Sequence, residues 1–155
     1  MLSAGMRRMV EEQRLGFAAT VCPDGTPNLS PKGTTAVWHD DRLIFADIRS
    51  PRTAENLRRN PAIEVNVVDP VSRKGYRFEG TGEVLTEGDL FEEALAFYRG
   101  RGVANEIRSV VVVEVERAAA HVPGLRPGRY RGGGARAVGA PPGGAARGPG
   151  RGTDR

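Results

Sequence analysis

Pro27 to Pro61 reads PNLSPKGTTAVWHDDRLIFADIRSPRTAENLRRNP. Two runs rich in strand-forming residues, Asn28–His39 and Arg42–Ile48, flank a tight turn at Asp40-Asp41. A short helix is predicted next, with a full set of start signals. Ser50 suits the N-cap, and Pro51 suits the first helical position, where its missing N–H costs no hydrogen bond. Arg52 and Thr53 fall in the first turn, beside backbone N–H groups that no helical carbonyl reaches. Asn60-Pro61 ends the helix, because proline disfavours helical geometry in the residue before it. A helix N-terminus that carries Arg and Thr attracts anions, phosphate above all. Ser30 and Lys32 lie on the strand that would run past it.

On the N-terminal side, Phe17–Cys22 reads as a strand and Pro23-Asp24-Gly25-Thr26 as a hairpin turn. Proline presets the first turn dihedral and glycine accepts positive φ. Leu2, Met6, Met9 and Val10 share one face of a helix, opposite Arg7, Arg8 and Glu11. That face suits the covering of a barrel end or packing on a partner subunit. Gly33, inside the long Asn28–His39 strand, marks a close backbone approach or a bulge.

On the C-terminal side, Ile63–Val68 alternates as a half-buried strand, and Asp69-Pro70 turns the chain. Gly75–Leu85 is a strand interrupted by Gly80 and Gly82, which predicts strong curvature. Thr86-Glu87-Gly88-Asp89 has the form of a capping box, and Leu90, Phe91, Ala94, Leu95 and Tyr98 give a helical apolar stripe that ends at Gly100 and Gly102. Ile107–Val115 is the last strand, and its four consecutive valines imply burial on both faces. Six strands and three helices with mostly hairpin links predict a mostly β fold, a six-stranded antiparallel barrel whose closure removes exposed edges. No internal repeat is visible.

A chain of 155 residues allows one modest domain, assigned to residues 1–122. From Pro123 the composition collapses into Gly, Arg, Ala and Pro, with eleven of the 21 glycines, so residues 123–155 are expected to be a disordered tail. This tail holds seven Arg and one Asp, which leaves 16 basic and 18 acidic residues in the rest. The high pI of about 9.8 therefore belongs to the tail. One reading of the tail is an Arg-Gly segment for nucleic acid, but Tyr130 is its lone stacking residue, which makes nucleic acid a poor partner. A second is a solvated terminus. The third is a frameshift product. With GC-rich codons, reading Gly124 to Gly139 one base later gives access to AYDLGATEEEVRARW, a capped acidic helix start. DNA sequencing through the region separates these. The single Cys22 rules out an internal disulfide and fits a reducing compartment. With neither a leader pattern nor a long apolar run, the expected location is cytoplasmic and off the membrane.

The succession GFAATVCPDGTPNLSPKG, a strand ending LIFADIRSP, RTAENLRRNP and RKGYRFEGTGEV resembles the FMN-binding split barrels related to pyridoxamine 5′-phosphate oxidase, over roughly Met6 to Ala119. The resemblance implies a split barrel that forms a homodimer with two FMN sites in the interface clefts. It places Arg52, Thr53 and Asn56, on the exposed start of the helix, against the phosphate and ribityl chain. Where the family has Ser-Arg-Lys, this chain has Pro51-Arg52-Thr53, so a hydroxyl replaces one cation. In Ser30-Pro31-Lys32-Gly33, Lys32 would contact the isoalloxazine edge or the phosphate, where a cation stabilises reduced flavin. A second family lysine is replaced by Thr35-Ala36. Ala46-Asp47 would offer backbone hydrogen bonds to the ring, and Arg73-Lys74-Gly75 stands where the family has an Arg-Gln pair that reaches the cofactor from the neighbouring subunit. The implied activity is flavin-dependent oxidoreduction on an unidentified small molecule. The vitamin B6 oxidase reaction itself is disfavoured, because that enzyme's C-terminal Trp and Arg-rich segment has no equivalent. One alternative is an F420-dependent reductase on the same fold. Another is a non-catalytic flavin-binding or redox-sensing protein, favoured by the lack of a convincing acid/base residue.

Each site residue also has a plain reading. Arg52, Thr53 and Asn56 can be a solvated helix face, Lys32 a strand lysine facing water, and Arg73-Lys74 a basic turn. His39 and His121 read as surface residues without metal-ligand spacing, so haem finds no axial ligand. Cys22 reads as a small core residue and Trp38 as barrel packing. No nucleophile–base pair supports hydrolysis.

Overall fold

A computed structural model of the chain describes residues 2–39, 41–48 and 51–121. The elements run α1 (Ala4–Gln13), β1 (Gly16–Val21), β2 (Pro27–Lys32), β3 (Ala36–Trp38), β4 (Arg42–Asp47), α2 (Pro51–Arg59), β5 (Ala62–Asp69), β6 (Lys74–Leu85), α3 (Asp89–Gly100) and β7 (Ser109–His121). All strand pairs are antiparallel, in the order β2-β1-β5-β6-β7-β4-β3. The two ends of this order, β2 and β3, are consecutive in the chain, so the sheet curls until its edges approach. Lys32 Nζ of β2 lies 3.7 Å from Asp47 Oδ1 of β4, and Thr34 Oγ1 accepts the Ala46 N–H at 2.9 Å. No strand ladder crosses that seam among the described residues, which gives the split form of the barrel.

The described strands number seven rather than six, because the expected strand Asn28–His39 is two. Gly33 is neither a bulge nor a close approach: nothing lies within 4 Å of where its Cβ would be. It opens a short loop held by hydroxyls. Thr35 Oγ1 donates to the Lys32 carbonyl at 2.8 Å, and Thr34 ties the loop to β4. The threonines that favour a strand by propensity here satisfy loop backbone instead. The last strand also runs beyond the expected end, pairing with β6 as far as His121.

Two apolar clusters divide the faces of β4 and β7. Leu43, Phe45, Val111 and Val113 point into the barrel with Val65, Val67 and Phe78, capped by Leu2, just before α1, and by Val10 of α1. The helix face of Leu2, Met6, Met9 and Val10 is thus used inside its own barrel. Ile44, Ala46, Val110 and Val112 point outward under Phe91, Ala94 and Tyr98 of α3. Four consecutive buried valines follow from this two-sided cover. Curvature enters the β6–β7 pair at a bulge, where Glu79 and Gly80 face Arg117 and Val115 and Glu116 is the extra residue; a side chain at Gly80 would strike the Glu114 carbonyl. The hairpin turn is as expected. Gly25 has φ +83°, and Asp24 Oδ1 accepts from both the N–H and the hydroxyl of Thr26. The capping box at Thr86 does not form. Gly88, at φ +92°, is the N-cap of α3 and offers no side-chain bond, while Asp89 and Glu92 sit in the first turn beside the helix N–H groups. No helix among the described residues is long and apolar enough to cross a membrane. The Ser50 N-cap, the Asp40 half of the turn, the side chain of His121 and the segment 123–155 lie outside the described residues.

Candidate functional site

α2 sorts its residues into two faces. Pro51, Arg52, Glu55, Arg58 and Arg59 are exposed, and Thr53, Ala54, Asn56 and Leu57 are buried. Thr53 and Asn56 were expected on the exposed start of the helix, yet they are 0% and 2% exposed. The reason is packing. Leu57 enters the core over Gly82, whose missing side chain makes room for it, and the residues one turn earlier must then face the barrel. Asn56 Nδ2 donates to Thr20 Oγ1 at 3.0 Å and lies 3.6 Å from Cys22 Sγ. Asn28 Nδ2 donates to the same Thr20 oxygen at 3.2 Å. Asn56 therefore pins α2 to β1. Thr53 Oγ1 is buried without a hydrogen-bond partner among the described residues.

The second group lies at the seam. The Lys32 side chain is 3% exposed and that of Asp47 6%. Their 3.7 Å separation makes an ion pair but is too long for a hydrogen bond, and Lys32 Nζ has no hydrogen-bond partner among the described residues. The ammonium also stands 5.4 Å from the centroid of the Phe45 ring. Burial holds the Lys32 pKa below its ordinary value, and Asp47 offsets part of that shift. Lys32 is thus not the water-facing strand lysine of the plain reading. Ser30 is half-buried on the same face of β2, while Pro31 and Gly33 are exposed. The Ala46 N–H, expected to serve a ligand, is occupied by Thr34 Oγ1.

Of the open clefts that border α2, two reach its first turn. One, of about 610 Å³, is lined by Arg52, Asn56 and Arg59 on the helix and by Cys22, Asp24 and Thr26 on the β1–β2 hairpin. The Asp24 carboxyl is held below its ordinary pKa by the Thr26 hydroxyl and N–H, with a smaller pull from Arg52. The other, of about 580 Å³, is lined by Asp47, Pro51, Ala54, Arg58, Arg108 and Ser109. The first turn of α2 thus lies between an arginine-lined cleft and one that has Asp47 in its wall.

The family model described as pyridoxamine 5′-phosphate oxidase matches residues 2–122. The chain belongs to the pyridoxamine 5′-phosphate oxidase family. Among solved structures it is similar to tagged HupZ of Group A Streptococcus, at 33% identity and a TM-score of 0.72, over 83% of this chain and 100% of that one. Two further structures share the fold at lower identity. One is an FMN-binding protein from Syntrophomonas wolfei, 17% identical over 74% of this chain and 82% of that one, TM-score 0.63. The other is an F420 reductase, 21% identical over 76% and 98%, TM-score 0.59. No curated protein matches the sequence.

Of the residues that the family resemblance singles out, the fold brings Lys32, Ala46 and Asp47 together, with Ser30, Pro31 and Gly33 on the same strand and loop. Arg52, Thr53 and Asn56 follow on α2. Arg73-Lys74-Gly75 is not brought to them. It forms the β5–β6 hairpin, with Gly75 buried against Val68, Arg73 and Lys74 exposed, and Arg73 at φ +56°. Three strand spacings, about 14 Å, separate β2 from β6 through β1 and β5. Thr20 and Thr34 were not singled out from the sequence, although they hold Asn56 and Ala46. Gly33-Thr34-Thr35 carried a faint signal, and Thr20 none beyond strand alternation. Trp38 packs in the outer cluster as expected, and exposed His39 meets Glu93 at 3.3 Å. Cys22 is half-buried rather than a core residue.

Proposed function

We propose that residues 1–122 hold FMN at the start of α2 and serve a flavin-dependent oxidoreductase of the pyridoxamine 5′-phosphate oxidase family. The observation that carries this reading is a pair of buried donors without a hydrogen-bond acceptor, Lys32 keeping its ion pair with Asp47. Among the described residues three buried side-chain polar atoms lack a partner, and two of them, Lys32 Nζ and Thr53 Oγ1, belong to the site expected from the sequence. A buried donor without an acceptor costs about 1–3 kcal/mol, so such groups are normally kept for a ligand or water. A phosphate or a carbonyl-rich ring supplies the acceptors that are missing.

Arg52 is exposed at the mouth of the cleft and would pair with the phosphate. The first-turn N–H groups of α2 and Thr53 would complete its cradle. Asn56 is a positioning residue, since its amide is spent on Thr20. Lys32 would set positive charge toward the ring, and Asp47 keeps that charge in place. FMN, when bound, supplies hydride and electron transfer. In this reading the chain works as a cytoplasmic homodimer, and Arg73-Lys74-Gly75 serves the site of the second copy. The tail beyond residue 122 takes no part in it, and neither nucleic acid nor membrane is a partner.

A titration of FMN fluorescence tests the reading. Saturable quenching at one flavin per chain is expected, with Thr53→Val weakening it several-fold and Arg52→Ala more. Flavin fluorescence unchanged at saturating protein would overturn it. The likeness to an F420 reductase supports a second reading, in which the same site takes a deazaflavin, and the same titration with F420 separates the two.

A further inference from the structure

The inward rows of β4 and β7 change character at one end. Leu43 pairs with Val113 and Phe45 with Val111, and these four belong to the core inside the barrel. The next pair on that face is Asp47 and Ser109. Both are buried, at 6% exposure each, and both line the cleft of about 580 Å³ beside α2. A core row that ends in a carboxylate and a hydroxyl is costly to desolvate unless those groups have partners. Lys32 meets Asp47 from β2. The Ser109 hydroxyl makes no hydrogen bond among the described residues.

The rim of this cleft is cationic. Arg58 of α2 and Arg108, just before β7, are exposed in its wall, and neither makes an ion pair among the described residues. Glu55 is the other charged group of the wall besides Asp47. Lys32 adds a positive charge beside Asp47. Three positive groups against two negative ones leave one positive charge. Arg58, Arg108 and Ser109 have no part in the flavin reading, which gives the phosphate to Arg52.

We infer that this cleft is a binding site for a small hydroxy acid, beside the flavin site and distinct from it. The single excess charge suits a monoanion, and the forked guanidinium groups of Arg58 and Arg108 suit its carboxylate. A phosphate dianion would bring a second negative charge toward Asp47 and Glu55. The buried groups decide the rest of the ligand. A carboxylate only accepts, and it has more acceptor positions than one ammonium fills, so the ligand group that reaches Asp47 must be a donor. The Ser109 hydroxyl beside it can donate or accept. A ligand hydroxyl satisfies both. An ammonium in its place would cancel the ligand's own charge and leave the excess of the cleft unmatched. The volume lies in the range of small-molecule sites. The inference does not depend on the flavin, because it concerns groups that the flavin reading leaves unused.

Isothermal titration calorimetry of the full chain with lactate tests it. Propionate is the comparison acid without the hydroxyl, and circular dichroism is the control for folding. Saturable heat with lactate is expected, with propionate about tenfold weaker. Arg58→Gln and Arg108→Gln should each weaken both acids about tenfold. Ser109→Ala should weaken lactate and leave propionate nearly unchanged, a selectivity that a merely structural role would not give. Lactate without saturable heat overturns the inference. So do lactate and propionate that bind equally well, or folded arginine variants with unchanged affinity. Repeating the titration with FMN at saturation keeps the two readings apart. Lactate heat that survives beside bound FMN supports both sites. Lactate heat in a chain that takes up no flavin retains this site and removes the flavin reading. Lactate displaced by FMN assigns the cleft to the flavin and overturns the inference.

Discussion

Lys32 and Asp47 close the barrel seam from inside, and their energetics can be separated by substitution. Lys32→Met leaves the Asp47 carboxylate buried and is expected to cost about 3 kcal/mol, as for other broken buried pairs. Lys32→Met with Asp47→Leu is expected to recover most of that loss in urea unfolding. The pH dependence has a definite sign. The Lys32 pKa is lowered in the folded state, so at a pH between the folded value and the model value of 10.5 the unfolded chain holds more protons. This group therefore makes stability rise with pH up to about 10.5, and Lys32→Met should remove that rise. A wild-type stability that falls with pH over the same interval, relative to the variant, would contradict it. Arg52→Ala, on the exposed face of α2, should leave the melting temperature within a degree or two and weaken FMN binding about tenfold. The sequence made Arg52 and Lys32 visible through Pro51 and the Pro31-Lys32-Gly33 setting. It did not make the burial of Thr53 and Asn56 visible, because polar residues in a short helix read as a solvent face until the opposing Thr20 is known.

At the scale of elements, two glycines have different costs. Gly80 lies against the Glu114 backbone, so Gly80→Ala needs the β6–β7 ladder to move and should cost well over 1 kcal/mol. Gly25 has open space but φ +83°, so Gly25→Ala should cost only about 1 kcal/mol, from backbone strain alone. Thermal melts of the pair would contradict this if Gly25 proved the more sensitive. A third device guards the short edge strand β3. Glu11 of α1 accepts the Val37 N–H at 3.0 Å and pairs with Arg101 after α3. Glu11→Ala should destabilise by about 1–3 kcal/mol and expose that edge. Strand identity was legible here from alternation, as in Ala62–Asp69, and from the valine run of β7. The break after Lys32 was not, since threonine favours strands by propensity and only tertiary contacts turn Thr34 and Thr35 into loop-holding hydroxyls. The missed Gly88 cap has a similar cause, because Thr86 offered the stronger local signal.

For the molecule as a whole, antiparallel strands with hairpin links dictated a curled antiparallel sheet, but the closure expected to remove its edges is incomplete, since β2 and β3 approach without a ladder between them among the described residues. The family pattern from Met6 to Ala119 gave the order of the elements, with α2 between β4 and β5. What the sequence left open was which side chains share a cleft. Lys32 and Asp47 stand 15 positions apart and meet only because the sheet curls its edges together. The hairpin of Arg73 and Lys74 falls at a different place on the same sheet. The measurement that bears most directly on the whole account is the visible absorption spectrum of the purified chain, taken after FMN is added and unbound flavin removed. Retained bands of oxidised flavin at one per chain, lost in Arg52→Ala, are the predicted result. A folded wild-type chain that emerges colourless would contradict it.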